Sequence, residues 1–127
     1  MILTELRIGN YVCTSYMKKS VFKVNAIHSD RLYLESVIEN FKSDTFPIYV
    51  EPIKLTEKWL LKAGFERLFP TGSTYSLRDF NVSDFGENGI YHYDVKQPIK
   101  YVHQLQNLYF AMTGEELVFN SNTECYL

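Results

Sequence analysis

A chain of 127 residues with 46% apolar and 22% charged residues has the size and make-up of one globular domain. Its net charge of −2 offers none of the basic excess that phosphate-backbone binding draws on, and no stretch approaches the ~20 apolar residues that span a bilayer. The opening Met1-Ile2-Leu3-Thr4-Glu5 has neither a basic segment nor a long apolar run, and Cys13 and Cys125 follow no CxxC or other ligand spacing. We therefore expect a cytoplasmic protein with reduced thiols, a Cys13–Cys125 bridge being the alternative.

In chain order, Gly9-Asn10 supplies a tight turn, and strand-like runs follow at 11–15, 21–28 and 31–37. Ser29-Asp30 is short enough to be a hairpin loop between the second and third. A fourth run, 45–50, contains Pro47, which cannot donate to a ladder, so it reads as an edge or bulged strand. Short alternating strands with tight turns predict a small curled antiparallel sheet over 1–53, with an SH3-like barrel as its closed form.

Thr56 as N-cap, Glu57 in the first turn, Leu55 and Leu60 at staple spacing and Gly64 as stop predict a helix over 57–63, with Trp59 facing the core. Strands are expected at 65–69, 74–80 and 81–85. Asn88-Gly89 then turns the chain into a strand whose Tyr91, Tyr93 and Val95 form an apolar face, with His92 and Asp94 on the polar one. A second helix over 100–113 has Tyr101, Leu105, Leu108 and Met112 at core spacing and Gly114 as its stop. A last short strand is expected at 116–119, followed by a frayed tail. The fold class is α+β: an N-terminal curled antiparallel sheet, then helix, antiparallel strands and a C-terminal helix. We read 1–127 as a single domain, with 1–53 and 54–127 as candidate subdomains.

The segments Leu6-Arg7-Ile8-Gly9-Asn10, Pro52-Ile53-Lys54-Leu55-Thr56-Glu57-Lys58-Trp59-Leu60-Leu61-Lys62-Ala63-Gly64-Phe65 and the string from Tyr101 to Leu117 resemble a family of small proteins of gut bacterial genomes, prophages and other mobile elements. The resemblance covers both helices and the entry turn, and leaves 14–50 unmatched. That family has no assigned activity. What the resemblance implies is a setting, that of a phage- or mobile-element-derived accessory protein.

Four constellations could carry chemistry. His92 and Asp94 share a strand face and could pair as base and orienter. Asp79, Asp84, Glu87 and Asp94 could meet as a hard-cation site, although their spacing matches no metal loop. Cys13 could act as a nucleophile if His28 met it across strands. Tyr16, Lys18 and Lys19 combine a ring with two positive charges, as a single-strand nucleic-acid binder would. Each has a plain structural counterpart: a half-buried hairpin, solvated turns, a core thiol and a soluble loop. No nucleotide-binding or hydrolase motif is present, so we expect no enzyme, no cofactor and no metal.

The sixteen per cent aromatic content points to a ring-rich core or to an aromatic surface kept for a partner. The outer side of the second helix, His103, Gln106, Asn107 and Phe110, carries no charge, which suits contact with a protein partner or a second copy of the chain. The expected function is a non-enzymatic protein-binding domain; the alternative is an SH3-like nucleic-acid-binding module.

Overall fold

Gly9 sits at φ +99°, a conformation L side chains rarely adopt, and its N–H donates to the Val24 carbonyl at 2.8 Å. The entry turn is thereby tied to the sheet it precedes. The computed structural model describes residues 5–17, 20–38 and 41–120. Five strands, β1 (Tyr11–Thr14), β2 (Phe22–His28), β3 (Arg31–Ser36), β4 (Lys42–Thr45) and β5 (Val50–Glu51), pair antiparallel in the order β4-β3-β2-β1-β5. The sheet curls into a half-barrel. Ser29-Asp30 is the hairpin loop expected, with His28 opposite Arg31. A register shift between Val24 and Ala26 leaves Asn25 unpaired in the ladder, the kind of bulge that bends a strand.

Pro47 does not lie in a strand. It opens a 3-10 turn, Pro47–Tyr49, between β4 and β5. A fixed φ and a missing N–H suit the first position of a helical turn, where the donor has no partner anyway. Inside the half-barrel, Leu6, Val12, Phe22, Val24, Leu32, Leu34 and Val50 form a compact core.

The second half begins with α1 (Glu57–Lys62), with Thr56 as N-cap and Gly64 at φ +95° just beyond its end, as expected. Then come β6 (Glu66–Arg67), β7 (Thr74–Leu77), β8 (Phe80–Asp84) and β9 (Ile90–His92), a four-stranded antiparallel sheet in sequence order. β7 and β8 are joined by Arg78-Asp79, both at positive φ. α2 (Val102–Thr113) ends at Gly114, φ +75°. No strand forms at 116–119; that segment is irregular, with Leu117 and Phe119 buried.

Two further expectations are corrected by burial. On β9 the inward residues are Ile90 and His92, while Tyr93 is 91% exposed. Sheet faces alternate, so a pairing that places Ile90 and His92 on the core turns Tyr91 and Tyr93 out. On α2 the buried apolar residues are Val102, Leu105 and Tyr109, and Met112 lies outside.

The two halves share their packing. β1 is covered on both faces: Val12 enters the half-barrel core, while Tyr11 and Cys13 join the core around Trp59. The Trp59 ring meets Tyr11 at 6.4 Å and Phe119 at 5.2 Å, both edge-on. Bridges Lys54–Tyr101 and Ile90–Ile99 carry hydrogen bonding from the chain after β5, through the approach to α2, to the edge of the second sheet.

Candidate functional site

The uncharged side of α2 is bonded to its own chain. Gln106 is buried; its Oε1 accepts the Tyr11 N–H at 2.8 Å and its Nε2 donates to the Gly9 carbonyl at 3.0 Å. The Asn107 Oδ1 accepts from Asn10 Nδ2 at 2.8 Å and from Arg7 Nε at 3.1 Å. The Arg7 guanidinium continues to Glu116 and lies 4.7 Å from the Phe110 ring centroid. His103 is buried, stacked on Tyr101, and neither ring nitrogen has a hydrogen-bond partner. Burial holds its pKa below the ordinary histidine value, against a smaller opposing pull from Glu5. Of the four residues expected to face a partner, His103 and Gln106 are therefore interior and Asn107 is engaged. Phe110, 41% exposed, is the one left at the surface. A row of amides without lysine or glutamate marks a face that is desolvated, whether by a partner or by the chain's own backbone; here the entry turn supplies the backbone.

Of the nucleic-acid alternative, Lys18 and Lys19 lie outside the described residues. Tyr16 is half exposed and meets Tyr49, in the 3-10 turn, edge-on at 6.2 Å. The Ser15 N–H donates to the Tyr49 carbonyl at 2.9 Å, locking the two segments together. Beside them Ile48 is 78% exposed and Phe46 lies under the Arg31 guanidinium at 4.8 Å. Arg31 also pairs with Asp44 at 2.5 Å, so its charge is compensated. The result is an aromatic rim at one end of the half-barrel, held in place without being buried. Pro47 marks the 3-10 turn in the sequence, but the sequence does not show that Tyr16 meets it.

The other constellations do not assemble. The Asp94 backbone N–H, and not its carboxylate, donates to His92 Nδ1 at 3.0 Å, and the ring packs 4.4 Å from Phe80. Burial lowers the His92 pKa, with Asp94 opposing it. Cys13 is disulfide-bonded, which overturns its expected reduced state; Cys125 lies outside the described residues. Val12 is paired with Phe22, which sets Cys13 at the opposite end of β2 from His28. Among the described residues no group of three or more His, Cys, Asp and Glu side chains is placed to hold a metal ion. No helix among them is long and apolar enough to cross a membrane.

The structure adds a feature with no local sequence signal. A cleft of about 570 Å³ opens between the start of α1, the β8–β9 loop and the segment leading into α2. Leu55, Ile90 and Ile99 are buried in its floor, with Pro98 and Tyr101 beside them. Lys54, Lys100, Glu57, Asp84 and Glu87 also line it. Glu57 is committed: it accepts from the Tyr75 hydroxyl and from Arg67 Nη2 (2.9 Å), and these bonds hold its carboxyl below the usual range. Three separate segments build the cleft, so no contiguous motif announces it. Compared with family models, with curated proteins and with solved structures, the chain matches none.

Proposed function

We propose that this chain is a non-enzymatic, protein-binding accessory domain, and that its first sheet is an SH3-like scaffold whose aromatic rim receives an extended segment of a protein partner. One observation carries the reading. Tyr16 and Tyr49, from segments far apart in sequence, are fixed edge-on to one another and left half exposed beside Ile48. Exposed rings held rigidly lose little entropy on binding, and extended or proline-rich segments dock on such surfaces. A 3-10 turn between the fourth and fifth strands of a curled sheet supports the SH3-like assignment. The accessory, mobile-element setting implied by the resemblance agrees with a binding role.

The same rings suit base stacking, so the nucleic-acid alternative stays in the test. Fluorescence anisotropy with labelled extended peptides, proline-rich ones included, and with single-stranded oligonucleotides compares them directly. We expect saturable peptide binding, weakened about tenfold or more by Ile48→Asp or Tyr49→Ser. Steeply salt-dependent oligonucleotide binding that Lys18→Glu abolishes would replace the proposal with the alternative. Binding of neither ligand class would remove it.

The cytoplasmic setting is kept in this reading, although the bridge at Cys13 weighs against it because cytosolic disulfides are rare. Alkylation of protein taken directly from cells, read by mass, decides. A blocked Cys13 moves the protein to an oxidising compartment.

A further inference from the structure

We propose that the cleft between α1 and the β8–β9 loop binds a small zwitterion with an apolar side chain, either an apolar amino acid or a di- or tripeptide of such residues. The size fits: about 570 Å³ lies within the range of sites that enclose small organic ligands. The floor is apolar and rigid. Ile99 is hydrogen-bonded to Ile90 at 2.7 Å, and the Leu55 N–H donates to the Lys100 carbonyl at 2.9 Å, so strand-like pairing on both sides fixes the segment that forms the floor.

The charges divide by wall. Lys54 and Lys100 come from the two paired segments 53–55 and 98–101. Asp84 and Glu87 come from the β8–β9 loop on the other side. Among the described residues neither lysine nor Glu87 forms an ion pair, and the third acid, Glu57, is neutralised by Arg67. Asp84 spends one oxygen on the Gly86 N–H at 2.9 Å, which orients its carboxylate within the loop. A positive wall, an apolar floor and a negative wall match a carboxylate, a hydrocarbon body and an ammonium in that order. A purely anionic ligand meets Asp84 and Glu87 with repulsion, and a purely cationic one meets the lysines. A long hydrocarbon leaves all four charges without a partner. This inference is independent of the aromatic rim, whose residues line no part of the cleft.

The test uses the intact chain and amide chemical shifts. Leucine, phenylalanine and Leu-Leu are titrated beside N-acetyl-leucine, which lacks the ammonium, and leucine methyl ester, which lacks the carboxylate. We expect saturable shifts at Gly86, Gly89, Lys100 and Tyr101, with each capped analogue about tenfold weaker than leucine, one charge-assisted contact being lost. Tighter binding of Leu-Leu than of leucine assigns the site to peptides, and the reverse assigns it to free amino acids. The double variant Lys54→Gln with Lys100→Gln should remove the penalty for the methyl ester, and Glu87→Gln should reduce the penalty for N-acetylation. All three positions are exposed, so the variants keep the parent fold. Capped analogues that bind as well as leucine, or no saturable shift at these amides with any ligand, would overturn the proposal.

Discussion

The interior of the half-barrel and the core around Trp59 differ in size: seven buried apolar residues in the first against eighteen in the second, among those described. Seven residues are few for an independent fold, since small cores bury too little apolar surface to offset chain entropy. The half-barrel gains the rest from outside. Tyr11 and Cys13, on the reverse face of β1, belong to the larger core, and the Gly9–Tyr11 backbone is bonded by Gln106. The lesson is that the smaller region is a dependant of the larger one, in spite of its complete sheet.

The strongest way to break this comparison is Trp59→Ala. Its side chain is fully buried, and we expect a loss of about 3–5 kcal/mol in denaturant unfolding. Hydrogen exchange should show Val12 and Val24 losing protection in the same step as Leu60 and Leu105. Half-barrel amides that keep their parental protection would mean that the first sheet stands alone.

Next in size is Gln106→Ala, which removes the partner of the Tyr11 N–H and of the Gly9 carbonyl in a partly buried site. We expect about 2–3 kcal/mol, with β1 and β5 exchanging before the second sheet. A loss below about 0.5 kcal/mol, the usual range for a surface change, would show that water replaces the amide without penalty.

Acid sharpens the comparison from another side. His92 and His103 have folded-state pKa values below their unfolded ones, so the unfolded chain binds protons first. The stability they contribute is complete above about pH 6.5 and is lost as the pH falls from there towards the folded pKa values. Both belong to the larger region, so thermal melts from pH 7.5 to 5 should lower the whole transition. His103→Leu should flatten that slope, and an unchanged slope would place the titration elsewhere.

The smallest effect is a gain. Asp79 holds φ +67° in the β7–β8 loop, where glycine is at ease, and Asp79→Gly should stabilise by about 0.5–1 kcal/mol. A destabilised variant would show that the aspartate side chain contributes more to the turn than its backbone strain removes.

Local chemistry made most elements legible. Ser29-Asp30, the Thr56-to-Gly64 helix and the Gly114 stop were each written into a few neighbouring residues. The orientation of β9 was not, because Tyr91 and Tyr93 are more apolar than His92 and only the pairing with β8 decides which set faces inward. The β7–β8 turn falls at Arg78-Asp79 rather than between residues 80 and 81, because Arg78-Asp79 lacks the Asn-Gly pattern that announces positive φ. The neutral face of α2 reads from the sequence as a contact surface for a partner, and a helical pattern cannot show that the chain's own entry turn covers it. The cleft depends on residues from 54 to 101 converging, and no window of sequence contains it.

The clasp of Gln106 on the entry turn also sets an order of events during synthesis. The half-barrel is made first, yet the amide that secures Gly9 and Tyr11 comes from a residue 97 and 95 positions later. Phe119, which packs against Tyr11 at 4.9 Å, comes later still. Contacts this distant in sequence close slowly. A nascent chain therefore leaves the ribosome with the reverse face of β1 uncovered until Gln106 and Phe119 have been translated. Throughout that interval the apolar side of β1 is open to whatever chaperone or neighbouring chain it meets.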